Sequence, residues 1–363
     1  MSEAQELDQL RQQIDSLDQQ IQELINQRAK CAQDVAEVKQ RYAAPDDKVT
    51  FYRPEREAQV LRKVMERNTG PLADESMARL FREIMSQCLA LEEPLNVAYL
   101  GPEGTFTQQA AIKHFGHAVQ CRGQISIADV FREVESGAAN YGVVPVENST
   151  EGVVTHTHDS FFDSNLKICG EVSLRIHHHL MAKEPGQKIE RIYSHAQSLG
   201  QCRLWLDHHY PDVERVAVSS NAEAARRAVN EPHTAAIASE AAADLYALTE
   251  LAANIEDRPD NTTRFLIIGR EETDPAGNDK TSILVANRDK PGALYQVLEP
   301  FHNAGISLTR IETRPARSGT WNYVFFIDFE GHIKDQQIAP VMEELRNVAL
   351  DFKWLGSYPR AVL

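Results

Sequence analysis

Residues 141–152 read YGVVPVENSTEG, an apolar run from Tyr141 to Val146 that ends in Glu147-Asn148-Ser149-Thr150-Glu151-Gly152. A Val-rich run closed by turn formers predicts a buried strand whose C-terminal end opens into a polar loop. The same texture continues on both sides. Val97–Leu100, Glu171–Arg175, Arg191–Ser194, Val213–Val218, Ala235–Ala238 and Arg264–Ile268 are further short runs. Between them Thr107–Phe115, Ala128–Ser136, Ser198–His208 and Ala222–Val229 carry helical spacing. This alternation predicts an α/β unit, with ligands at strand C-termini and at the helix N-termini that follow.

Four polar segments stand at such ends: GPEGTFT at 101–107, VPVENSTEG at 144–152, SHAQ at 194–197 with Gln201-Cys202 downstream, and NTTRF at 261–265. The first opens a helix and offers backbone N–H groups to an anion. No GxGxxG occurs in the chain, which disfavours a dinucleotide site. In this order and spacing the four segments resemble the prephenate dehydratase family. The resemblance implies two α/β lobes with a cleft between them, as in periplasmic binding proteins, the second lobe at about residues 173–254. It also implies a reaction that expels the ring hydroxyl as water and the ring carboxyl as CO₂. The chief need is then a proton donor at the hydroxyl and clamps for two carboxylates. Thr263 matches the proposed donor, and Asn148, Ser149 and Gln201 match polar cleft positions. Thr105 lies in the anion-binding segment, and Arg264 either structures its motif or binds a substrate carboxylate. His195 sits inside a matched segment and is read as a packing residue.

Upstream, residues 1–92 are helical in pattern. Leu7, Leu10, Ile14, Leu17, Ile21 and Leu24 form a heptad seam, which predicts one helix from about residue 5 to 41. Pro45 ends it, Pro54 opens a second helix that Gly70-Pro71 stops, and Asp74 is placed to N-cap a third. The seam alone reads as a dimerisation arm. Arg28, Ala32, Val35 and Lys39 step along one stripe, however, setting two cations beside it. Arg11 lies seventeen residues before Arg28, roughly 26 Å along a helix, so a small metabolite touches both only when a second chain supplies one of them.

Arg11, Arg28, Lys39, the PEREA segment at 54–58 and a third helix ending near Glu92 resemble the all-helical chorismate mutase family. The implied reaction is the cofactor-free rearrangement of chorismate to prephenate. By resemblance, Arg11 of one chain and Arg28 of the other hold the carboxylates, Lys39 donates to the ether oxygen and Glu55 accepts from the ring hydroxyl. Pro54 stands where many members have Arg, with Arg53 one place earlier as a substrate-binding candidate. Glu92 occupies a position that is often Gln, and Cys88, four residues before it, one that is often Ser. Only a protonated Glu92 donates a hydrogen bond, so mutase activity is expected to fall as pH rises; the other reading of Glu92 is a solvated helix end.

Beyond a polar stretch at 271–280, read as a linker, the order strand 282–287, helix 292–304, strand 306–314, strand 322–330, helix 336–348, strand 352–357 is the ferredoxin-like βαββαβ arrangement. Gly292-Ala293-Leu294-Tyr295 and Glu312-Thr313-Arg314-Pro315 resemble the two ligand-binding segments of ACT domains. That resemblance implies binding of, and inhibition by, L-phenylalanine at Gly292, Ala293, Leu294, Glu312, Thr313 and Arg314.

The multidomain reading is therefore an all-α unit at 1–93, a two-lobed α/β unit at 95–271 and an α+β ACT unit at 280–363. Length and composition agree: 363 residues predict two or three domains, and 42% apolar with 25% charged residues is ordinary for globular protein. A net charge of −15 argues against nucleic acid or an anionic membrane as partner. Chorismate and prephenate are the implied substrates, and a homodimer or higher homo-oligomer the implied assembly. No cofactor or metal is implied; His156 and His158 (alternate positions of a possible strand) and His177–His179 lack a recognised ligand set nearby. Five scattered cysteines with no CxxC pair, no apolar run of eighteen residues and no signal-like N-terminus predict a cytoplasmic location. Two rivals remain: a mutase fused to a prephenate dehydrogenase, which needs the missing dinucleotide motif, and a non-catalytic amino-acid-sensing protein with a helical dimerisation arm.

Overall fold

The N-terminal heptad pattern folds as one unbroken helix of 40 residues, α1 (Glu3–Tyr42), whose first turn is tied by Ser2 N–H donating to Gln5 Oε1 at 2.9 Å. The computed structural model describes residues 2–44, 50–288, 290–315 and 322–363; Pro45, the expected terminator of α1, lies outside them. α2 (Pro54–Glu66) and α3 (Asp74–Glu92) pack on each other, and α3 packs on the C-terminal half of α1. Ala73, not Asp74, is the N-cap of α3; Asp74 instead accepts from Asn68 Nδ2 at 2.7 Å. The stripe on α1 differs by one position from the sequence reading. Ala36 is its buried residue, flanked by half-buried Arg28, Ala32 and Lys39, whereas Val35 is exposed.

The α/β unit begins with β1 (Asn96–Leu100), α4 (Phe106–Phe115), β2 (Gln120–Gln124), α5 (Ile127–Glu135), β3 (Tyr141–Asn148), β4 (Gly152–Val153), α6 (Thr155–Asp163) and β5 (Lys167–Arg175). The chain then enters a second lobe of β6 (His179–Ala182), β7 (Arg191–His195), α7 (Ala196–Gln201), α8 (Arg203–His209), β8 (Glu214–Val218), α9 (Asn221–Asn230), β9 (Thr234–Ala238), α10 (Glu240–Tyr246) and β10 (Thr249–Ala252). It returns as β11 (Thr262–Gly269), giving sheet orders β2-β1-β3-β11-β5 and β10-β6-β9-β7-β8. Two crossings, at residues 176–178 and 253–261, therefore join the lobes. β2, β4, β6, β10, α6 and α10 escape the sequence reading: β4, β6 and β10 are two to four residues long, and β2 (QCRGQ) carries no apolar run. The 198–208 helix is two helices that meet at Cys202. His156 and His158 lie on α6, so they share no strand face.

The last unit is β12 (Asp279–Arg288), α11 (Ala293–Asn303), β13 (Leu308–Pro315), β14 (Asn322–Glu330), α12 (Ala339–Val348) and β15 (Asp351–Pro359), in sheet order β13-β14-β12-β15. Both faces of this sheet are covered. Ile283, Val285, Phe325, Ile327 and Phe329 pack under α11 and α12, while Leu284, Ala286, Val324, Phe326 and Leu355 join the core of the first lobe with Val130, Phe131 and Phe161. β15 runs so close to β5 that a Cβ on Gly356 would collide with the Ile168 carbonyl. The 271–280 stretch is a loop only as far as Asn278, and α2 grips it. Arg53 reaches Asp274 at 2.8 Å, and Arg62 reaches the carbonyls of Ala276 and Asn278 at 3.0 and 2.9 Å.

Candidate active sites

The interlobe cleft is organised by a defect in β3. β11 alternates regularly: Phe265 and Ile267 enter the core beneath α4, while Leu266 and Ile268 enter the core shared with the C-terminal sheet. Opposite it, Phe265 pairs with Pro145 but Arg264 pairs with Glu147, which leaves Val146 as an extra residue. A bulge of this kind re-aims the side chains that follow. Val144 and Glu147, rather than Val144 and Val146 alone, thus face the C-terminal sheet, and Asn148 turns onto the face of Thr263. Proline is tolerated in β3 for the same reason, since it sits at the irregularity.

Asn148 and Thr263 meet across that register, Nδ2 donating to Oγ1 at 2.8 Å. The Asn148 carbonyl oxygen accepts the backbone N–H groups of Thr150 and Glu151, both at 2.9 Å, which fixes its amide orientation. Nδ2 also donates to Asn261 Oδ1 at 2.8 Å, Asn261 Nδ2 to Gln201 Oε1 at 3.0 Å, and Gln201 Oε1 meets His178 Nε2 at 2.8 Å. The chain of bonds thus runs from the first lobe, through the crossing strand, to the second lobe and the hinge. Because Thr263 Oγ1 already accepts from Asn148, its own hydrogen is free for the cleft.

The cleft encloses about 600 Å³ and is lined by Thr105, Asn148, His178, His195, Gln201 and Thr263 among others. Among the described residues that line it, none is Lys or Arg. The first turns of α4 (Thr105–Thr107), α6 (Val154, Thr155) and α9 (Ser220, Asn221) open onto it instead. Helix N-termini carry partial positive charge and unpaired N–H groups, each worth about 0.3–1 kcal/mol to an anion near the surface and more when buried. Ser149 lies outside the cleft lining: its Oγ accepts Thr262 N–H at 3.0 Å and its own N–H reaches the Thr262 carbonyl at 2.9 Å, stapling the start of β11. His195 caps α7, its Nδ1 accepting Gln197 N–H at 3.4 Å.

Of the two readings of Arg264, the structuring one fits the bonds it makes. Its guanidinium donates to Glu171 at 2.8 Å, Asp328 at 2.7 Å and Tyr358 at 2.9 Å, with Lys280 on the same Glu171 at 2.8 Å. The pairing partner of Arg264, Glu147, is held by Arg310 of β13. The residues that neighbour the cleft pair on both strands therefore dock the C-terminal sheet. Arg314, on the same strand as Arg310, reaches Asp159 of α6 at 3.1 Å.

The two expected effector segments lie at one end of that sheet. Asn287 pairs with Tyr323, and Pro315 pairs with the same residue from the other side. Gly292, with φ +81°, then starts α11 ahead of Ala293 and exposed Leu294. Glu312, Thr313 and Arg314 lie on β13, the sheet's edge strand.

In the helical unit the expected residues split into three groups. Lys39 Nζ donates to the carbonyls of Thr50 and Phe51 at 3.2 and 3.4 Å. Glu92 lies near enough to feel both Lys39 and Arg28; its partial burial outweighs them and raises its pKa. Buried Cys88 lies one turn before it. Glu55 is buried beside the 271–274 loop, its carboxylate taken by Arg53 Nε at 2.5 Å. Arg11, with no bonding partner among the described residues, lies on the exposed N-terminal half of α1, where Leu7, Leu10, Ile14, Leu17, Ile21 and Leu24 are 45–62% exposed.

Sequence reasoning did not single out Asn261, His178, Glu147 or Arg310. Asn261 stood inside a quoted segment and His178 inside a His run read as packing; nothing local marks a pair 163 residues apart such as Glu147 and Arg310. Among the described residues no cluster of three or more His, Cys, Asp or Glu is placed to hold a metal ion, and no helix is long and apolar enough to cross a membrane.

Residues 10–93 match chorismate mutase type II, residues 97–273 match prephenate dehydratase and residues 281–347 match the ACT domain. The bifunctional chorismate mutase/prephenate dehydratases of Stutzerimonas stutzeri and Pseudomonas aeruginosa are each 62% identical over 100% of both chains. The solved prephenate dehydratase of Arthrobacter aurescens, in complex with L-Phe, covers 74% of this chain and 90% of its own at 35% identity and TM-score 0.68. With two successive catalytic units and the sensor-like sheet docked on the second, the chain belongs to the bifunctional chorismate mutase/prephenate dehydratase family with a C-terminal ACT domain.

Proposed function

We propose that the two activities of phenylalanine biosynthesis are divided between a dehydratase site complete within one chain and a mutase site that two chains share. The observation that carries this is the contrast between the bonded Asn148–Thr263 pair in an interlobe cleft and an apolar row on α1 that none of the described residues of the same chain covers.

In the cleft, prephenate places its carboxylates at the helix N-termini and its ring hydroxyl at Thr263. The C–C bond to the ring carboxylate breaks as its electrons enter the ring, the C–O bond breaks, and the oxygen leaves as water with the proton Thr263 donates. An alcohol is a poor acid, so Thr263 relays a proton, its oxygen taking one up from solvent water in the cleft as it gives its own to the leaving oxygen, rather than ionising ahead of reaction. Asn148 aims that proton, Gln201 and Asn261 hold Asn148 across the lobes, Thr105 borders the anion site, and Ser149 fixes the turn. Arg264 acts from behind, as a positioning residue.

In the helical site, Arg28 and Lys39 of one chain face chorismate with Arg11 from its dimer partner. Lys39 and a protonated Glu92 donate to the ether oxygen as charge develops there. Glu55 accepts from the ring hydroxyl while Arg53 orients it, and Cys88 packs beside Glu92. The domains span 1–93, 95–271 (second lobe about 173–254) and 280–363, and the chain works in the cytoplasm as a homodimer or larger homo-oligomer. L-Phenylalanine binds at Gly292–Leu294 and Glu312–Arg314 and inhibits by favouring a less active arrangement.

A time course of the purified chain with chorismate, following prephenate and phenylpyruvate with and without phenylalanine, tests the whole reading. Transient prephenate, then phenylpyruvate suppressed by phenylalanine, is expected. Phenylpyruvate formation indifferent to phenylalanine removes the effector assignment.

A further inference from the structure

The hydrogen-bond polarity of the cleft is fixed from the backbone outward, and it determines the state of a histidine that the mechanism above does not use. Backbone N–H groups can only donate. Thr150 and Glu151 N–H therefore make the Asn148 atom they meet the carbonyl oxygen, so the other amide atom is the donor to Asn261 and Thr263. Asn261 then accepts through Oδ1 and donates through Nδ2 to Gln201 Oε1. Gln201 Oε1 is an acceptor, so His178 Nε2, at 2.8 Å, carries a hydrogen. In the neutral ring the proton is on Nε2 and Nδ1 bears a lone pair. His178 is 1% exposed, lines the cleft, and its Nδ1 has no hydrogen-bond partner among the described residues.

A buried lone pair with no donor is costly unless a ligand supplies one. Prephenate, with both carboxylates ionised and a ketone on its side chain, has one hydrogen-bond donor, the ring hydroxyl. We propose that His178 Nδ1 accepts the hydrogen of the prephenate ring hydroxyl, turning that oxygen's lone pair toward the proton of Thr263. The leaving oxygen is then held between an acceptor and a donor of opposite polarity, both set by one bonded chain. The inference rests on the cleft being the prephenate site.

The surroundings keep the ring neutral. Burial lowers the His178 pKa, with repulsion from His177 and His179 in the same direction, against the bond to Gln201 and the charge of Glu256. Glu256 takes the His178 backbone N–H at 2.9 Å and His177 Nδ1 at 2.8 Å, and the Phe106 ring packs edge-on at 5.7 Å. The other titratable groups lining the cleft are His195, which caps α7, exposed His156, and exposed Glu151, which meets Gln201 Nε2 at 3.4 Å.

The test uses the whole chain, whose mutase activity on chorismate reports folding independently. His178→Phe keeps ring and volume without the acceptor; prephenate turnover is expected to fall at least fiftyfold in kcat with mutase turnover unchanged. His178→Asn puts an acceptor oxygen near the Nδ1 position and does not titrate. It is expected to restore kcat to within about tenfold of wild type and to abolish the loss of rate expected of wild type in acid as His178 gains a proton. Thr263→Val, measured alongside, separates the two levels. If it abolishes dehydration while His178→Phe stays within threefold of wild type, or while His178→Asn keeps the wild-type acid limb, the role of His178 is overturned. If Thr263→Val is also harmless, the cleft assignment falls and this inference with it.

Discussion

In the proposed reading, the α1 seam and the interlobe cleft are opposite solutions to holding a small dianion. The cleft gathers its polar groups from β3, β11, α7 and the hinge of one chain, and every amide in its bonded chain has a partner that fixes its direction. It lines itself with helix ends rather than cations. The seam leaves its apolar row exposed, and a straight 40-residue helix keeps Arg11 away from Arg28. A contiguous apolar row of that size on one face marks an interaction surface. On the proposed reading one site is assembled by folding and the other by association, so perturbations should separate them cleanly.

The largest separation is expected from Thr263→Val. Valine keeps the branched shape but removes the proton and leaves Asn148 Nδ2 with Asn261 alone. Prephenate dehydration should drop about a thousandfold, equivalent to about 4 kcal/mol of transition-state stabilisation, with chorismate rearrangement unchanged. Coupled assays on the two substrates read both at once.

Leu17→Glu attacks the other side of the comparison. A charge at the centre of the exposed row should prevent pairing of α1, cutting mutase turnover about a hundredfold and leaving dehydration of added prephenate within a few fold. Sedimentation of the variant should show smaller particles than wild type. A variant that is monomeric yet fully mutase-active would show that one chain completes the site.

How much of this was legible in the sequence follows the same division. The strand-end segments pointed to Asn148, Gln201 and Thr263 through their resemblance to prephenate dehydratases, and the fold places these three, though not Ser149, on the cleft. Heptad spacing revealed α1, and the separation of Arg11 and Arg28 along it raised the expectation of a second chain. The bulge at Val146 was not legible, since it is defined by the register against β11. Nor was the burial of both faces of the ACT sheet, because runs such as ILVA at 283–286 read the same whether one face or two are covered. The bonded state of Arg264 depends on Glu171, Asp328 and Tyr358, brought from three distant segments.

That docking surface gives the next smaller effect. Glu147 and Arg264 adjoin the Asn148–Thr263 pair, and Arg310 and Asp328 hold them from the ACT sheet. Arg310→Met breaks one of these links without touching the cleft. The concentration of phenylalanine needed for half-inhibition of dehydration should rise about tenfold, a coupling loss within the usual range of 1–3 kcal/mol. The uninhibited rate should change less than threefold. Unaltered inhibition would move the coupling to another contact.

The smallest effect concerns protonation in the mutase site. A carboxylate beside two cations ordinarily ionises more readily, yet at Glu92 desolvation exceeds the pull of Lys39 and Arg28 and the pKa is raised. A dianionic substrate in the same site pushes further in that direction. The protonated acid is the form that donates to the ether oxygen, so the active fraction is largest below the raised pKa and declines as pH climbs through it. Wild-type mutase turnover should therefore fall several-fold from acid to alkaline pH, while Glu92→Gln, a donor at every pH, should give a flat profile that meets the wild-type rate on the acid side. The dehydratase reaction of the same chain supplies the control, because its bonded cleft contains neither Glu92 nor a lysine and should show no matching alkaline decline. A wild-type mutase rate constant across that range would return Glu92 to a solvated helix end, leaving Lys39 as the remaining proposed donor to the ether oxygen.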